Sequence, residues 1–297
     1  MADTPLEMLK QTLREGGDLF SLPPVEGRVA FDTMLEEMPR SEDILFGADT
    51  LAGIPTVTAS TPASSPDRAL LYLHGGAYTI GSPTGYRSLI GELARASGTT
   101  GFGLHYRLAP EHPFPAAVDD ALAAYRALLD RGYPASRIVI GGDSAGGGLT
   151  MALLQTIRNS GLPQPAAALT ISPWADLSFS GASIESKQAE DPSLRSESLR
   201  VMAAHYLAGQ DADNPLASPV RGDLSGLAPI LIQVGSAEIL LDDAIALARA
   251  LGMANSPVTL EIVAGAPHVW HLFHFMIAEG ADAIARAGNF LSAAMDG

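Results

Sequence analysis

The sequence predicts an α/β protein, with a mostly parallel central sheet flanked by helices on both faces. Three observations carry this. Short apolar runs alternate with helix-compatible stretches from about residue 69 to the C-terminal end. The runs are continuously apolar, as strands covered on both faces must be. The chain has 297 residues and 47% hydrophobic content, enough for a sizeable core.

Residues 6–13 and 25–38 have helical apolar spacing and are separated by Gly16-Gly17 and Pro23-Pro24. Strand-like runs follow at 44–46 and 56–59, then a Ser/Pro/Ala-rich loop at 60–67. Strands at 69–73, 101–105, 138–140, 167–171, 230–234 and 258–263 then alternate with helices at 86–96, 116–129, 149–157, 244–251 and 281–294. In the 116–129 helix, Val118, Ala121, Leu122, Tyr125, Leu128 and Leu129 share one face, with Asp119, Asp120, Arg126 and Asp130 off it. The alternation breaks at 172–227, a polar, Pro-rich stretch with one helical piece near 198–207. An insertion of that length between core strands points to function. With the N-terminal helices it could cover the strand ends, where ligands bind in open α/β sheets. The expected organisation is one domain over 1–297 with cap elements at about 1–40 and 178–215.

A formal charge of −15 argues against nucleic-acid partners and against anionic membrane surfaces. Zero cysteines exclude disulfides, thiolate metal sites and a cysteine nucleophile. Met1-Ala2-Asp3-Thr4-Pro5 shows neither a basic nor an apolar signal region, and no run of about 18 apolar residues is present. A cytoplasmic protein is expected.

The most informative segment is Gly142-Asp143-Ser144-Ala145-Gly146, a G-x-S-x-G match between a strand and a helix. Such a turn is tight enough that only hydrogen fits two residues before and two after the serine. Gly146, Gly147 and Gly148 fall in the first helical turn, where each costs up to about 1 kcal/mol relative to alanine. Three in succession imply a close approach to the backbone.

A serine hydroxyl needs a base within hydrogen-bond reach. Of seven histidines, His268 follows the last predicted strand and so lies on the same sheet edge as Ser144. The order Ser…acid…His fits this fold class. His74, in His74-Gly75-Gly76-Ala77-Tyr78, suits an oxyanion loop better than a base. His271 and His274 are one helical turn apart, but no carboxylate at matching spacing supports a metal pair. For the orienting acid, Glu238 is nearest the strand end; Asp242 and Asp243 open the next helix, where they also suit its dipole. Glu238 is preferred and Asp242 stays open.

Together these segments, with Tyr106-Arg107-Leu108-Ala109-Pro110-Glu111 and Pro113-Phe114-Pro115-Ala116, resemble the hormone-sensitive-lipase family of α/β-hydrolases over roughly residues 70–275. The resemblance implies an α/β-hydrolase fold and a Ser144–Glu238–His268 triad. It also implies oxyanion donors at Gly75, Gly76 and Ala145. The expected activity is carboxylic ester hydrolysis through an acyl-enzyme, with no metal or organic cofactor. Two residues depart from the family's usual pattern: Ala77 stands where it has glycine, and Glu238 where it has aspartate. Trp174, just after a core strand, could wall the acyl pocket and favour short acyl chains, or could be a core aromatic under the cap. The expected ligand is a small ester, and residues 258–263 would form an edge strand able to pair with a second copy. Lactone or amide hydrolysis by the same machinery is the nearest alternative. A non-catalytic ligand-binding relative is disfavoured because His268 is present.

Overall fold

The computed structural model describes residues 4–297; Met1, Ala2 and Asp3, part of the stretch read above for a targeting signal, lie outside the described residues. Among the described residues eight strands form one sheet. They are β1 (Leu45–Leu51), β2 (Ile54–Ser60), β3 (Ala69–Leu73), β4 (Thr100–Leu104), β5 (Ile138–Asp143), β6 (Ala167–Ile171), β7 (Ile230–Gly235) and β8 (Val258–Val263). The helices are α1 (Pro5–Glu15), α2 (Pro24–Glu36), α3 (Arg87–Ser97), α4 (Ala116–Asp130), α5 (Ala145–Asn159), α6 (Ser183–Ser186), α7 (Ser196–Leu207), α8 (Leu241–Met253) and α9 (Ala278–Asp296).

The spatial order is β1-β2-β4-β3-β5-β6-β7-β8. β2 runs antiparallel to both its neighbours and every other pair is parallel. The chain steps outward from β3 to β4, then returns across β3 to start β5. The strand order therefore reverses beside β3, and the loops leaving β3 and β5 diverge there, the usual place for a ligand crevice. Leu73 pairs with Gly142 in that register, so His74 and Ser144 leave adjacent strand ends.

β3, β5, β6 and β7 are buried along their whole length, which is why each reads as an unbroken apolar run. Alternate residues enter opposite layers. Leu71, Leu73, Ile138 and Ile140 pack with α4, α5 and α8, whereas Leu70, Tyr72, Val139 and Leu169 pack with α3 and α9. No helix of the described residues is long and apolar enough to cross a membrane.

Three local readings change. Asp120 is not on the solvent face of α4: it is buried, and its carboxylate holds the Arg107 guanidinium at 2.7 Å and the Arg107 N–H at 2.8 Å. A buried carboxylate with a bidentate arginine partner breaks the simple amphipathic pattern. β1 continues through Gly47-Ala48-Asp49-Thr50, residues of weak strand preference, because pairing with β2 supplies the ladder. α5 runs over Ala145–Asn159, longer at both ends than the apolar stretch at 149–157, and includes the glycines expected in its first turn.

Candidate active site

Ser144 stands between β5 and α5 at φ 52, ψ −121, a strained backbone for a non-glycine residue. The strain is held from both sides: Ser144 N–H donates to Ile171 O at 2.8 Å, and Trp174 N–H donates to Ser144 O at 2.9 Å. A Cβ on Gly142 would overlap the Gly146 carbonyl. One on Gly146 would overlap Leu73 O and stand 2.6 Å from His74 O. The neighbouring glycines serve a different approach, since Gly147 faces Pro173 and Gly148 faces the Trp174 carbonyl. The run thus admits two backbones, that of β3 and that of the segment after β6.

The loop after β3 is anchored by residues beyond those expected. His74 is buried and stacks on Tyr106, with ring centroids 4.4 Å apart. Burial pushes its pKa down to about 3, so its ring is neutral and Nδ1 donates to Gly75 O at 2.7 Å. Tyr106 donates its hydroxyl to His74 O at 2.7 Å. Asp143, inside the serine motif, is fully buried and accepts three bonds. They come from Tyr72 OH at 2.8 Å, Gly75 N–H at 2.9 Å and Tyr86 OH at 2.9 Å. Burial pushes the Asp143 pKa up to about 6, against the lowering effect of the two hydroxyls.

That bond corrects one expectation. The Gly75 N–H points to Asp143 and is not free to meet an oxyanion. The N–H groups of Gly76, Ala77 and Ala145, by contrast, meet no hydrogen-bond acceptor among the described residues. Asp143 was legible as an ionisable residue ending an otherwise apolar buried strand, a position that obliges it to collect donors.

On the other side, His268 Nδ1 stands 2.6 Å from Glu238 Oε2. Glu238 is fully buried, and its Oε1 accepts Gly235 N–H at 2.6 Å and Ser172 OH at 2.9 Å. Ser172 Oγ in turn accepts Val269 N–H at 3.1 Å, closing a ring of bonds around the loops after β6, β7 and β8. Burial alone would lower the His268 pKa. The hydrogen bond and charge of Glu238, with Asp191 and Asp143 behind it, outweigh this and raise it above the ordinary imidazole value.

The other acids turn elsewhere. Asp242 Oδ2 accepts Ser183 N–H at 2.8 Å, and Asp243 Oδ2 accepts Ala175 and Asp176 N–H, both at 2.9 Å. His271 and His274 diverge, to Gln233 Oε1 at 2.9 Å and Ser88 Oγ at 3.1 Å respectively.

Ser144 and His268 line one cavity of about 330 Å³, together with Gly76 and Asp143. Its far wall is apolar and comes from Leu13, Phe20, Phe31, Met34, Leu272 and Phe273. Trp174 is not among its lining residues. The indole is fully buried between Tyr78 and Phe179, with centroids at 6.3 and 5.8 Å, so it belongs to the core and not to the pocket wall. The Trp174 backbone, not its ring, meets Ser144.

Fold and cavity together define an enzyme of the α/β-hydrolase class. Residues 70–272 match the family model described as alpha/beta hydrolase fold. The chain belongs to the hormone-sensitive-lipase family of these hydrolases, a family of esterases. It is 45% identical to an acetyl-hydrolase of Streptomyces hygroscopicus over 99% of this chain and 98% of that one. Two crystal structures superpose over nearly all of it. One is the structure of EstE5 soaked by p-nitrophenyl butyrate, with TM-score 0.94, 42% identity and 100% of both chains covered. The other is of an esterase from the bacterial hormone-sensitive lipase family, with TM-score 0.95, 43% identity, and 99% of this chain and 100% of that chain covered.

Proposed function

We propose that the chain is a carboxylesterase that hydrolyses short-acyl esters by two-step acyl transfer at Ser144. One observation carries the reading: Ser144 and His268 share a cavity, and His268 Nδ1 stands 2.6 Å from the buried Glu238 carboxylate. His268 takes the Ser144 proton as Oγ attacks the ester carbonyl, and Glu238 holds the imidazole tautomer and the imidazolium that forms. The oxyanion is met by the N–H groups of Gly76, Ala77 and Ala145. Ala145 opens α5, whose positive dipole end adds to the stabilisation. His268 then protonates the departing alcohol, and water repeats the cycle on the acyl-enzyme to release the acid. These steps call for no metal or organic cofactor.

Support for a short acyl group comes from the cavity and the relatives. Its 330 Å³ lies near the lower end of the range for small-molecule sites, roughly 300–1,000 Å³. A relative's name specifies an acetyl group and a neighbour was soaked with a butyrate ester. On a p-nitrophenyl ester series, kcat/KM is expected to peak at acyl chains of roughly six carbons or fewer. A maximum on long-chain emulsified triglycerides would overturn that preference.

The choice of acid has its own test. Glu238→Ala should lower kcat about 10³-fold or more, because His268 loses its orienting carboxylate. Asp242→Ala removes only an acceptor for Ser183 N–H and should cost no more than a few-fold. A larger loss at Asp242 would reverse the assignment.

The same reading takes α1, α2, α6 and α7 as a cap over the strand ends, since residues of α1 and α2 and the segment before α7 line the cavity. It takes β8, paired on one side only and with Ile262 exposed, as the face a second copy would use.

A further inference from the structure

Asp191 lies between α6 and α7 and is buried. Its Oδ1 accepts the N–H groups of Ser193 and Leu194 at 2.8 and 2.9 Å. Its Oδ2 accepts Ile239 N–H at 2.8 Å, from 48 residues further along the chain. Ser193 and Leu194 line the cavity that holds Ser144 and His268, and Ile239 directly follows Glu238. One carboxylate thus joins the cavity wall to the loop that carries the acid.

No side-chain cation pairs with it among the described residues; Arg195 donates to the backbone carbonyls of Asp191 and Leu194, at 3.0 and 2.7 Å, and not to the carboxylate. A buried carboxylate bonded solely to neutral amides is costly to keep unless a positive charge arises near it. The hydrolytic cycle makes one such charge, on His268. We propose that Asp191 is a positioning residue of the hydrolytic site, its carboxylate holding the Glu238 loop against the cavity wall. The proposal rests on the ester-hydrolase reading above.

Charge and geometry agree. Three carboxylates act on His268: Glu238 from the loop after β7, Asp191 from the insertion, and Asp143 from the end of β5, and each raises its pKa. Burial pushes the Asp191 pKa up, while His268 and the three amides pull it back. Tyr72 and Tyr86, the other titratable groups bonded to this cluster, face Asp143.

Asp191→Asn keeps the size of the side chain and an oxygen for Ser193 and Leu194, but it removes the charge and, with an amide nitrogen now facing Ile239 N–H, the bond to the Glu238 loop. Hydrolysis of p-nitrophenyl butyrate is measured for wild type, Asp191→Asn, Asp191→Glu and Ser144→Ala across roughly pH 5 to 9. In Asp191→Asn, plateau kcat should fall about tenfold and the acid limb of kcat/KM should move down by about half a pH unit or more. Asp191→Glu retains the charge and displaces the wall. Its acid limb should stay at the wild-type position while KM rises several-fold.

Wild-type kcat and acid limb in Asp191→Asn, whatever its melting temperature, would reduce Asp191 to a turn-forming residue and overturn the proposal. Should that variant not fold, Asp191→Glu decides, and an acid limb displaced despite the retained charge overturns it. Full activity in Ser144→Ala would instead remove the hydrolytic reading itself. An inactive Ser144→Ala beside an unaltered Asp191→Asn leaves that reading standing and sinks only this proposal.

Discussion

Ser144→Ala is expected to lower kcat on p-nitrophenyl butyrate by about 10⁴-fold or more, leaving a trace supported by the oxyanion amides and by binding alone. The hydroxyl is the only group removed. The backbone that presents it is held by Ile171 O and Trp174 N–H, neither of which touches Oγ. Stability should therefore change by no more than about 0.5 kcal/mol, as for substitutions outside a packed contact. A folded variant that turns over ester at the wild-type rate would place the chemistry elsewhere in the molecule.

Gly146→Ala should produce the largest structural effect of any single methyl added to this chain's serine turn. The new Cβ would occupy the space of the Leu73 carbonyl oxygen and stand 2.6 Å from that of His74. Both carbonyls belong to a strand end buried in the centre of the sheet, so neither can retreat without moving the loop that carries Gly75 and Gly76. Overpacking against backbone costs more than the roughly 1–3 kcal/mol typical of side-chain crowding. A fall of that size or greater in unfolding free energy is expected, or loss of soluble protein. Gly252→Ala is the matched control. It sits near the end of α8 with open space around it, so the methyl should stabilise by a few tenths to about 1 kcal/mol. Chemical denaturation measures both. Equal stability of Gly146→Ala and wild type would mean that the serine turn is looser than its contacts indicate.

Much of this site is legible in the sequence because strand and loop order dictate it. Parallel strands end on one edge, so residues just after β5, β7 and β8 had to converge, and Ser144, Glu238 and His268 sit there. The fold class followed from the buried strands, whose unbroken apolar runs cannot be confused with half-exposed ones. What sequence could not supply was direction. Gly75 looked like a donor to substrate until Asp143 took its N–H. Trp174 could wall the pocket or lie in the core on sequence alone, and its indole proves fully buried and outside the cavity lining. Asp120 looked solvent-facing because its partner, Arg107, lies on a different element. In each case the deciding contact is long-range, and a local pattern carries no information about which way a side chain or amide turns.

The parallel course of β3 to β8 also gives the sheet two edges with different tolerance to change. Ser144, Glu238, His268 and the amides of Gly76, Ala77 and Ala145 all follow strand C-terminal ends. The turns entering β5 and β6 lie on the opposite edge, where Gly132 and Gly161 have nothing within 4 Å of a would-be side chain. Foreign sequence spliced into those turns would meet solvent and not the cavity. The protein is thus built to accept a tag, a fusion partner or a surface tether on one rim while its chemistry proceeds on the other.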